Sequence, residues 1–391
     1  MTAATNPFSL SLDPVAEAVK LGPAIREAAP EIEAGRHLPD AIVKGLREAG
    51  LFHMAVARDA GGLETNPVDL CRAIEEVSAA DGSAGWCLMI AAQNGAIGGF
   101  VDRGVAAQVY GNGQIVAGVA RPIGRAETQP GGDYIVSGRW PFASGSSHAD
   151  WFAGECVIYD GGQARRDLDG NPISCFALIP RAQVQIHDTW YTTGLRGTAS
   201  NDFSVDGVRL REEFGVQLFM DQPCSPWALY RSMPLIMVTH GAQALGVATG
   251  AVAEMVSLAQ TKLAWGTDRP LREQPRMQGQ IAEAVVLVES AREFLRATVR
   301  QAWDVLEAGG TPDDHLRARY RLAASHAARA SAAAVDILHN AAATTGILMK
   351  SPLERAFRDL HTADAHVMVS ALTYEAAGRV ELGMPANMPF F

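Results

Sequence analysis

The sequence has few cysteines and no surplus of basic charge, and both shortages exclude classes of protein. Its 391 residues include five cysteines, none in a Cys-x-x-Cys spacing, which argues against a disulfide framework or a zinc cage. The formal net charge is -10, with basic residues scattered among acidic ones, so no cationic stripe is available to neutralise a phosphate backbone. We therefore expect a reduced, cytoplasmic compartment, no metal site and no nucleic-acid partner.

A targeting signal and a membrane span are also missing from the pattern. Residues 1–13 lack a basic segment followed by an apolar core, and no uninterrupted apolar stretch has the length of a bilayer span. With 48% hydrophobic and 19% charged residues, the chain can bury a substantial core divided into two or three structural units. The sequence predicts a globular protein without membrane contact.

The amino-acid composition and the spacing of apolar residues change twice along the chain. Residues 1–113 carry apolar residues at spacings of three and four, such as Ile42 and Leu46, as in amphipathic helices. Residues 114–225 contain runs rich in Val, Ile, Phe and Trp separated by Gly and Asp turns, which indicates strands. Residues 226–391 are rich in Ala, Leu and Arg and contain four long helical runs.

This order predicts a mainly α fold with a central β domain. We expect an N-terminal helical domain, a compact antiparallel β-barrel or sandwich, and a C-terminal four-helix bundle. Ser351-Pro-Leu-Glu354 has the pattern of a capping box with proline at the first helical position. The last helical run, 352–380, should therefore begin at this point.

Three motifs resemble those of the acyl-CoA dehydrogenase superfamily, whose domain order is the same. They are Gly138-Arg-Trp-Pro-Phe-Ala-Ser-Gly145 with His148 and Trp151, Gly194-Leu-Arg-Gly-Thr-Ala-Ser200, and Pro352-Leu-Glu-Arg-Ala-Phe-Arg-Asp359 with His366. The resemblance covers nearly the whole chain and implies the fold just described. It also implies a homotetramer.

The residues that define a dehydrogenase within this superfamily are absent. Dehydrogenases carry a glutamate base a few residues after the Arg-Asp pair, where this chain has Val367, and an alkyl group cannot accept a proton. Residues 233–250, an alternative location for that base, contain no carboxylate. The family's FAD-binding patterns are replaced by those of residues 265–269 and 340–346, so a tightly held FAD is not expected.

The chain is more similar to the group D two-component monooxygenases of this superfamily, on whose pattern Ser144, His148 and His366 fall. This resemblance implies an oxygenase component that takes reduced FMN or FAD from a separate flavin reductase. With O2 it would hydroxylate a small aromatic or other electron-rich organic substrate. Several such enzymes carry a histidine eight residues after the equivalent of Trp86, where this chain has Asn94; both positions are candidates for substrate binding.

The resemblance assigns roles to individual side chains. Ser144 would hold the flavin by a hydrogen bond, and His366 would act on the reacting oxygen or take a phenolic proton. His148 would be catalytic or would orient its loop. The other candidates for cofactor binding are Trp140, Arg196, Thr198 and Ser200.

Other interpretations stay open at this stage. Ser144 could cap a local turn, His366 could be a packed helical histidine, and Trp140 could belong to the core. Arg355, Arg358 and Asp359 fit a buried ion-pair latch better than a catalytic set. The whole chain could also be an FAD-dependent acyl-CoA dehydrogenase, or a relative that binds flavin or another ligand without catalysis.

Overall fold

The first part of the chain is helical. The computed structural model describes residues 12–218, 221–388 and 391, and most of the segment searched for a targeting signal, residues 1–11, lies outside them. Asp13, Asn66, Asp81 and Asp102 cap four helices by accepting backbone N–H groups. The helices are α1 (Pro14–Gly35), α2 (Asp40–Glu48), α3 (Pro67–Ala80), α4 (Gly82–Gly95) and α5 (Arg103–Tyr110).

A single eight-stranded sheet follows. In space the strands lie in the order β6-β7-β2-β1-β3-β5-β8, with β4 paired to β3. The strands are β1 (Val116–Thr128), β2 (Tyr134–Ala143), β3 (Trp151–Asp160), β4 (Gln163–Ala164), β5 (Ser174–Pro180), β6 (Gln185–His187), β7 (Asn201–Leu210) and β8 (Gly215–Val216).

The sheet is mixed, and the prediction of a purely antiparallel unit was wrong. β1 pairs in parallel with β3, with Val116 opposite Trp151, whereas the other strand pairs are antiparallel. The loop 144–150 carries the chain from the end of β2 to the far side of β1, so that β3 runs in the direction of β1. Residues 120–123 leave the β1–β3 register as a bulge.

Trp140 fills the interior of the β domain. Its ring is fully buried and stacks on Phe203 at 4.8 Å, and its Nε1 donates to the carbonyl oxygen of Glu155 at 2.8 Å. Gly124 and Gly154 on neighbouring strands lie so close to the ring that a Cβ at either position would collide with it. Trp140 is therefore a core residue of the β domain, which was the alternative to a role in cofactor binding.

The last part of the chain is a helical bundle. A 3-10 segment, Ala228–Val238, leads into α6. The helices are α6 (Thr239–Thr261), α7 (Pro275–Glu307), α8 (Asp314–Ala342), α9 (Pro352–Asp364) and α10 (Ala371–Glu381).

The final predicted run is two helices, not one. α9 begins at Pro352 as expected, but Ser351 makes no side-chain cap hydrogen bond, and Glu354 instead pairs with Arg358. The chain leaves α9 after Asp364, and a short 3-10 turn at Val367–Val369 separates it from α10. His366 therefore lies in the break between two helices and not on the helix where the sequence placed it.

One segment is apolar enough to resemble a membrane span, contrary to the sequence prediction. The most apolar 18-residue window of Ala228–Thr261 has a mean hydropathy of 1.4, and 78% of that window is buried inside the protein. Helix α6 packs against α3, α7 and α8, which explains its composition, because a helix covered on all sides is apolar on all sides.

Candidate active site

A cavity of about 510 Å³ lies where all three parts of the chain meet. One wall is α4, a second is formed by strands β1 and β2 with the loop before β7, and the third is the break after α9. Most of its surface is apolar. The lining residues include Trp86, Gln93, Asn94, Arg121, Phe142, Ser144, Phe176, Trp190, Ser200, Met237, His366, Val367 and Met368.

A chain of hydrogen-bonded hydroxyl groups crosses one wall of the cavity. Trp86 Nε1 donates to Ser144 Oγ at 3.0 Å, Ser144 Oγ lies 2.7 Å from Ser200 Oγ, and Ser200 Oγ lies 2.7 Å from Thr198 Oγ1. Because Thr198 donates to the carbonyl oxygen of Leu195 at 2.8 Å, Ser200 must donate to Thr198 and Ser144 to Ser200. Ser144 therefore keeps one lone pair with which to accept a hydrogen bond from a bound molecule.

His366 faces the same cavity as a neutral imidazole. Its Nδ1 accepts the Met368 N–H at 3.3 Å, which places the ring proton on Nε2. Burial, and secondarily the charge of Arg321, lowers the pKa of His366 to about 4. At neutral pH this side chain is an N–H donor and not a cation.

His240 is a site residue that the sequence reasoning missed. It lies in the first turn of α6, and its ring stacks on that of His366 with centroids 4.6 Å apart and planes at 25°. The edge of Trp86 meets both rings, at 5.6 Å and 5.5 Å. Its signal in the sequence is a histidine within the apolar run 233–250, which contains no carboxylate.

The pair of imidazoles is fixed from behind. His240 Nδ1 lies 3.1 Å from the carbonyl oxygen of Met237 and 3.2 Å from the amide nitrogen of Gln93. Burial, followed by the charges of His366 and Arg321, lowers the pKa of His240 well below its usual range. Both rings are therefore neutral, and their stacking meets no charge repulsion.

Three predicted site residues do not line the cavity. His148 packs against Phe52 at 5.6 Å, where burial and the nearby Arg47 and Arg181 lower its pKa to about 3. Arg196 lies 3.5 Å from Glu33 in an ion pair. Trp140 is enclosed by the sheet, as described above. The motifs put these residues close to the site in sequence, but their side chains point into the surrounding packing.

The remaining predicted residues do meet at the cavity. Ser144, Ser200, Trp86, Asn94 and His366 line it, and Thr198 reaches it through its hydrogen bond to Ser200. Asn94 donates from Nδ2 to the carbonyl oxygen of Ile90 at 3.0 Å.

No carboxylate lines the cavity within the described part of the chain. Val367, in the position of the dehydrogenase base, is one of the lining residues. The charged side chain among them is Arg121, on the β1 bulge. A reaction that needs a carboxylate base has no such group here.

Ion pairs lock α9 to the rest of the site. Arg358 pairs with Glu33 at 2.9 Å and with Glu354 at 2.6 Å, and Arg355 lies 3.6 Å from Asp81. Asp359 accepts the Leu195 N–H at 2.6 Å, next to the loop that carries Ser200. Burial, and secondarily Asp81, raises the pKa of Asp359 to about 7.

The cavity geometry can be compared with known proteins. The acyl-CoA dehydrogenase N-terminal domain model matches residues 21–108, and the C-terminal domain model matches residues 238–371. The indole-3-acetate monooxygenase of Pseudomonas putida is 30% identical over 382 residues, which cover 96% of this chain and 93% of that protein. The chain belongs to the acyl-CoA dehydrogenase-like flavoproteins.

Within these flavoproteins, similarity runs to the oxygenase components of flavin-dependent monooxygenases. The oxygenase subunit HsaA of Mycobacterium tuberculosis is 30% identical over 378 residues, 93% of each chain. The FADH(2)-dependent resorcinol hydroxylase oxygenase component of a Rhizobium species is 28% identical, over 90% of this chain and 89% of that protein. The crystal structure of the 3-HSA hydroxylase from Rhodococcus sp. RHA1 superposes with a TM-score of 0.86 at 26% identity, covering 97% and 100% of the two chains.

These similarities confirm the fold and class of enzyme that the sequence predicted. The protein is an oxidoreductase of the flavin-dependent monooxygenase type, whose cofactors are reduced flavin and O2. The cavity of this flavoprotein suits a reduced flavin, because Ser144 offers a free lone pair to a ring N–H beside largely apolar walls.

Proposed function

We propose that this flavoprotein hydroxylates a small aromatic or other electron-rich organic substrate in the cavity between α4, the sheet and the break after α9. One observation supports this choice above others. A hydroxyl chain ending at Ser144 and a neutral histidine, His366, face the same largely apolar cavity, which no carboxylate lines within the described residues. The dehydrogenase alternative requires a base that this arrangement does not offer.

When bound, the reduced flavin supplies the electrons that activate O2 for transfer of one oxygen atom. The residues of this chain orient and shield the reactants. Ser144 would accept a hydrogen bond from the reduced ring, and Ser200 and Thr198 hold the Ser144 hydroxyl in place. His366 would donate from Nε2 to a bound substrate or oxygen atom, and the stacked His240 fixes the plane of its ring.

The shape and chemistry of the lining favour a planar aromatic substrate. Trp86, Phe142, Phe176 and Trp190 supply aromatic surface, while Asn94 and His366 supply polar contacts. Two relatives carry names that state aromatic substrates, indole-3-acetate and resorcinol. This chain has its own combination of lining residues, so its substrate is proposed as a class and not as one compound.

The proposed assembly includes a partner and a compartment. Reduced FMN or FAD reaches the cavity from a separate flavin reductase, since the family-type FAD-binding patterns are absent from residues 265–269 and 340–346. The oxygenase works as a homotetramer in a reducing cytoplasm. All five cysteines are free thiols, which fits that compartment.

Stopped-flow absorbance tests the proposal directly. Anaerobic protein with reduced FMN or FAD is mixed with oxygenated buffer, with and without an aromatic substrate. We expect flavin oxidation to differ from that of free flavin and product to form only with substrate. Oxidation at the rate of free flavin, with hydrogen peroxide alone as product for every aromatic tried, would refute the oxygenase function. Bleaching of a bound yellow flavin by an acyl-CoA would instead support the dehydrogenase.

A further inference from the structure

Arg321, on helix α8, is a buried cation without a counter-charge. It is 0% exposed, and no ion pair joins it to a carboxylate in residues 12–218, 221–388 and 391. Its Nη2 donates to the carbonyl oxygen of Met368 at 3.2 Å, while Nε and Nη1 have no hydrogen-bond partner in this part of the chain. Burial of an unpaired charge costs free energy that an apolar side chain would not cost. Stability alone therefore does not explain an arginine at this position.

The titratable groups that face Arg321 carry no negative charge at neutral pH. They are Tyr320 on α8 itself, His240 on α6 and His366 in the break after α9. Burial raises the pKa of Tyr320 and lowers the pKa of both histidines, so all three are neutral. Helices α7, α9 and α10 also pack against α8, but none of their carboxylates pairs with Arg321 within the described residues. Burial lowers the pKa of Arg321 itself to about 10, which leaves it charged at neutral pH.

The peptide of Met368 connects Arg321 to His366. The carbonyl oxygen of Met368 accepts from Nη2 of Arg321 and, at 3.5 Å, from Oγ1 of the fully buried Thr373. The N–H of the same residue is donated to Nδ1 of His366 at 3.3 Å. Because Nδ1 is thereby an acceptor, the ring proton of His366 lies on Nε2. Arg321 does not itself line the cavity, so it acts on the site through this peptide and through its charge.

We propose that Arg321 is a positioning residue, which holds His366 through the Met368 peptide as an uncharged N–H donor facing the cavity. The guanidinium fixes the carbonyl end of the peptide, and the N–H end fixes the tautomer of the imidazole. The unpaired charge opposes the uptake of a proton by His366 or by the stacked His240. A carboxylate beside Arg321 would cancel that effect, which explains why the charge is left without a partner.

This inference rests on the proposed function, in which a neutral His366 donates to a bound molecule, and it assigns a role to a residue outside the cavity. The placement and charge of the two rings can nevertheless be measured without turnover. Trp86 is the reporter, because its edge meets His240 at 5.6 Å and His366 at 5.5 Å. A protonated imidazole in contact with an indole quenches the fluorescence of the indole.

Fluorescence titration of the full-length protein from about pH 8 to about pH 4.5 tests the inference. A transition that disappears in Trp86→Phe is assigned to Trp86. The native protein should show no such transition above about pH 5, since the pKa of His366 is about 4. In Arg321→Met and Arg321→Gln the transition should move up by about one pH unit or more, which is a tenfold or larger gain in proton affinity.

Two further variants separate charge from packing. Arg321→Lys keeps a cation that can donate a hydrogen bond, so it should restore the native transition to within about half a pH unit. Ser325→Ala is the matched control, because Ser325 is also 0% exposed and lies one turn further along α8 but carries no charge. Its transition should match that of the native protein. Arg321→Met should melt no lower than the native protein, because an apolar side chain replaces an unpaired buried charge.

The inference is overturned if the Trp86 transition of both neutral variants stays at the native pH. Failure of both neutral variants to fold, or an equal upward shift in Ser325→Ala, would overturn it as well and make Arg321 a structural residue. Product formation by the native protein with reduced FMN, O2 and either indole-3-acetate or resorcinol is recorded separately. Absence of product there would count against the oxygenase function and leave the result for Arg321 standing.

Discussion

Single side chains decide the chemistry of this site, and Ser144 is the one with the most defined surroundings. It accepts a hydrogen bond from Trp86 Nε1, donates to Ser200 and has one lone pair left for the cavity. Its proposed role therefore depends on acceptance of a hydrogen bond and not on acidity.

The Ser144→Ala replacement should weaken the formation or stabilisation of the oxygenated flavin about five- to a hundredfold. The reason is that a lost hydrogen bond to a buried partner is worth about 1–3 kcal/mol. Stopped-flow traces of flavin oxidation give the measurement. Ser146→Ala is the matched control, because Ser146 is equally buried in the same loop but bonds to the carbonyl oxygen of Ala199. Unaltered traces for Ser144→Ala would return this residue to the role of a local cap.

Replacement His366→Ala should abolish most product formation and leave fold and reduced-flavin binding nearly intact. A general base would cost about a hundredfold or more when lost. A donor with a pKa of about 4 should give no His366-dependent change in rate between about pH 6 and pH 8. Product yield per flavin oxidised, measured across that range, checks both points. If the variant forms as much product per flavin oxidised as the native protein does, His366 is a packed residue without a catalytic role.

At the scale of elements, sequence patterns predicted the helices better than the strand pairing. Spacings of three and four locate helices because the period is local, whereas alternation along β1 and β3 is the same in a parallel or an antiparallel pair. The break after Asp364 was missed because it is stabilised by a side-chain acceptor, Nδ1 of His366, which is not among the usual capping residues.

Site residues that belong to a local sequence motif could be predicted. Site residues that are brought together by contacts between distant parts of the chain could not. Ser144, Ser200 and His366 came from motifs and do line the cavity. His240 lies on a helix whose inner face meets His366 only in the folded bundle, so the sequence marks it only as a histidine within an apolar run and not as a partner of His366. His148 is the opposite case, since its ring packs against Phe52 although it is close in sequence to Ser144.

The junction between α9 and the loop 194–200 offers a test at this scale. Asp359→Ala should lower the free energy of unfolding by about 1–3 kcal/mol, because the buried Leu195 N–H loses its acceptor. Affinity for reduced flavin should fall too, since the same loop leads into Ser200. Urea unfolding and anaerobic flavin titration measure the two effects. Asp364→Ala, at the C-terminal end of α9, serves as control. If both variants lose the same stability and flavin affinity, the Asp359–Leu195 hydrogen bond does not hold the loop 194–200 in place.

For the whole molecule, exposed apolar side chains around the bundle predict self-association. Trp265 is 100% exposed and Leu263 56%, and Ile347, Leu348 and Met349 are also exposed. Lys262 ties the two loops together through Ala342 and Thr345. Contiguous apolar surface of this kind typically marks an interface.

Light scattering at micromolar concentration should therefore give a homotetramer. The double variant Trp265→Glu, Leu348→Glu should shift it to smaller species, because charges would enter the buried contact. Leu168→Glu changes an equally exposed apolar residue in the β domain and should not shift it. A monomeric native protein would sink the prediction.

Acid stability is a second property of the whole molecule. His148 has a folded pKa of about 3, so below the ordinary value the unfolded chain binds a proton that the native state does not. This residue stabilises the fold above about pH 6.5, and its contribution is lost as the pH falls towards 3. Asp359 acts in the opposite sense, since its raised pKa lets the native state hold the extra proton.

The His148→Phe variant isolates one proton of this balance. As the pH falls from about 6 to about 3.5, the free energy of unfolding of this variant should rise relative to that of the native protein. The expected rise is up to about 1.4 kcal/mol for each pH unit. Urea midpoints across that range measure the difference. Parallel curves for the native protein and His148→Phe would contradict the assignment.

The three walls of the cavity have a consequence for the synthesis of the protein. Trp86 emerges from the ribosome first, Ser144 and Ser200 follow, and His366 is the last of the four to be synthesised. A nascent chain thus holds every other part of the pocket while one side is still open to water. Reduced flavin that bound to such a chain would react with oxygen while exposed to water, and its electrons would not be used for hydroxylation. The pocket is therefore complete only after the break that follows α9 has been synthesised and has packed against the earlier parts of the chain.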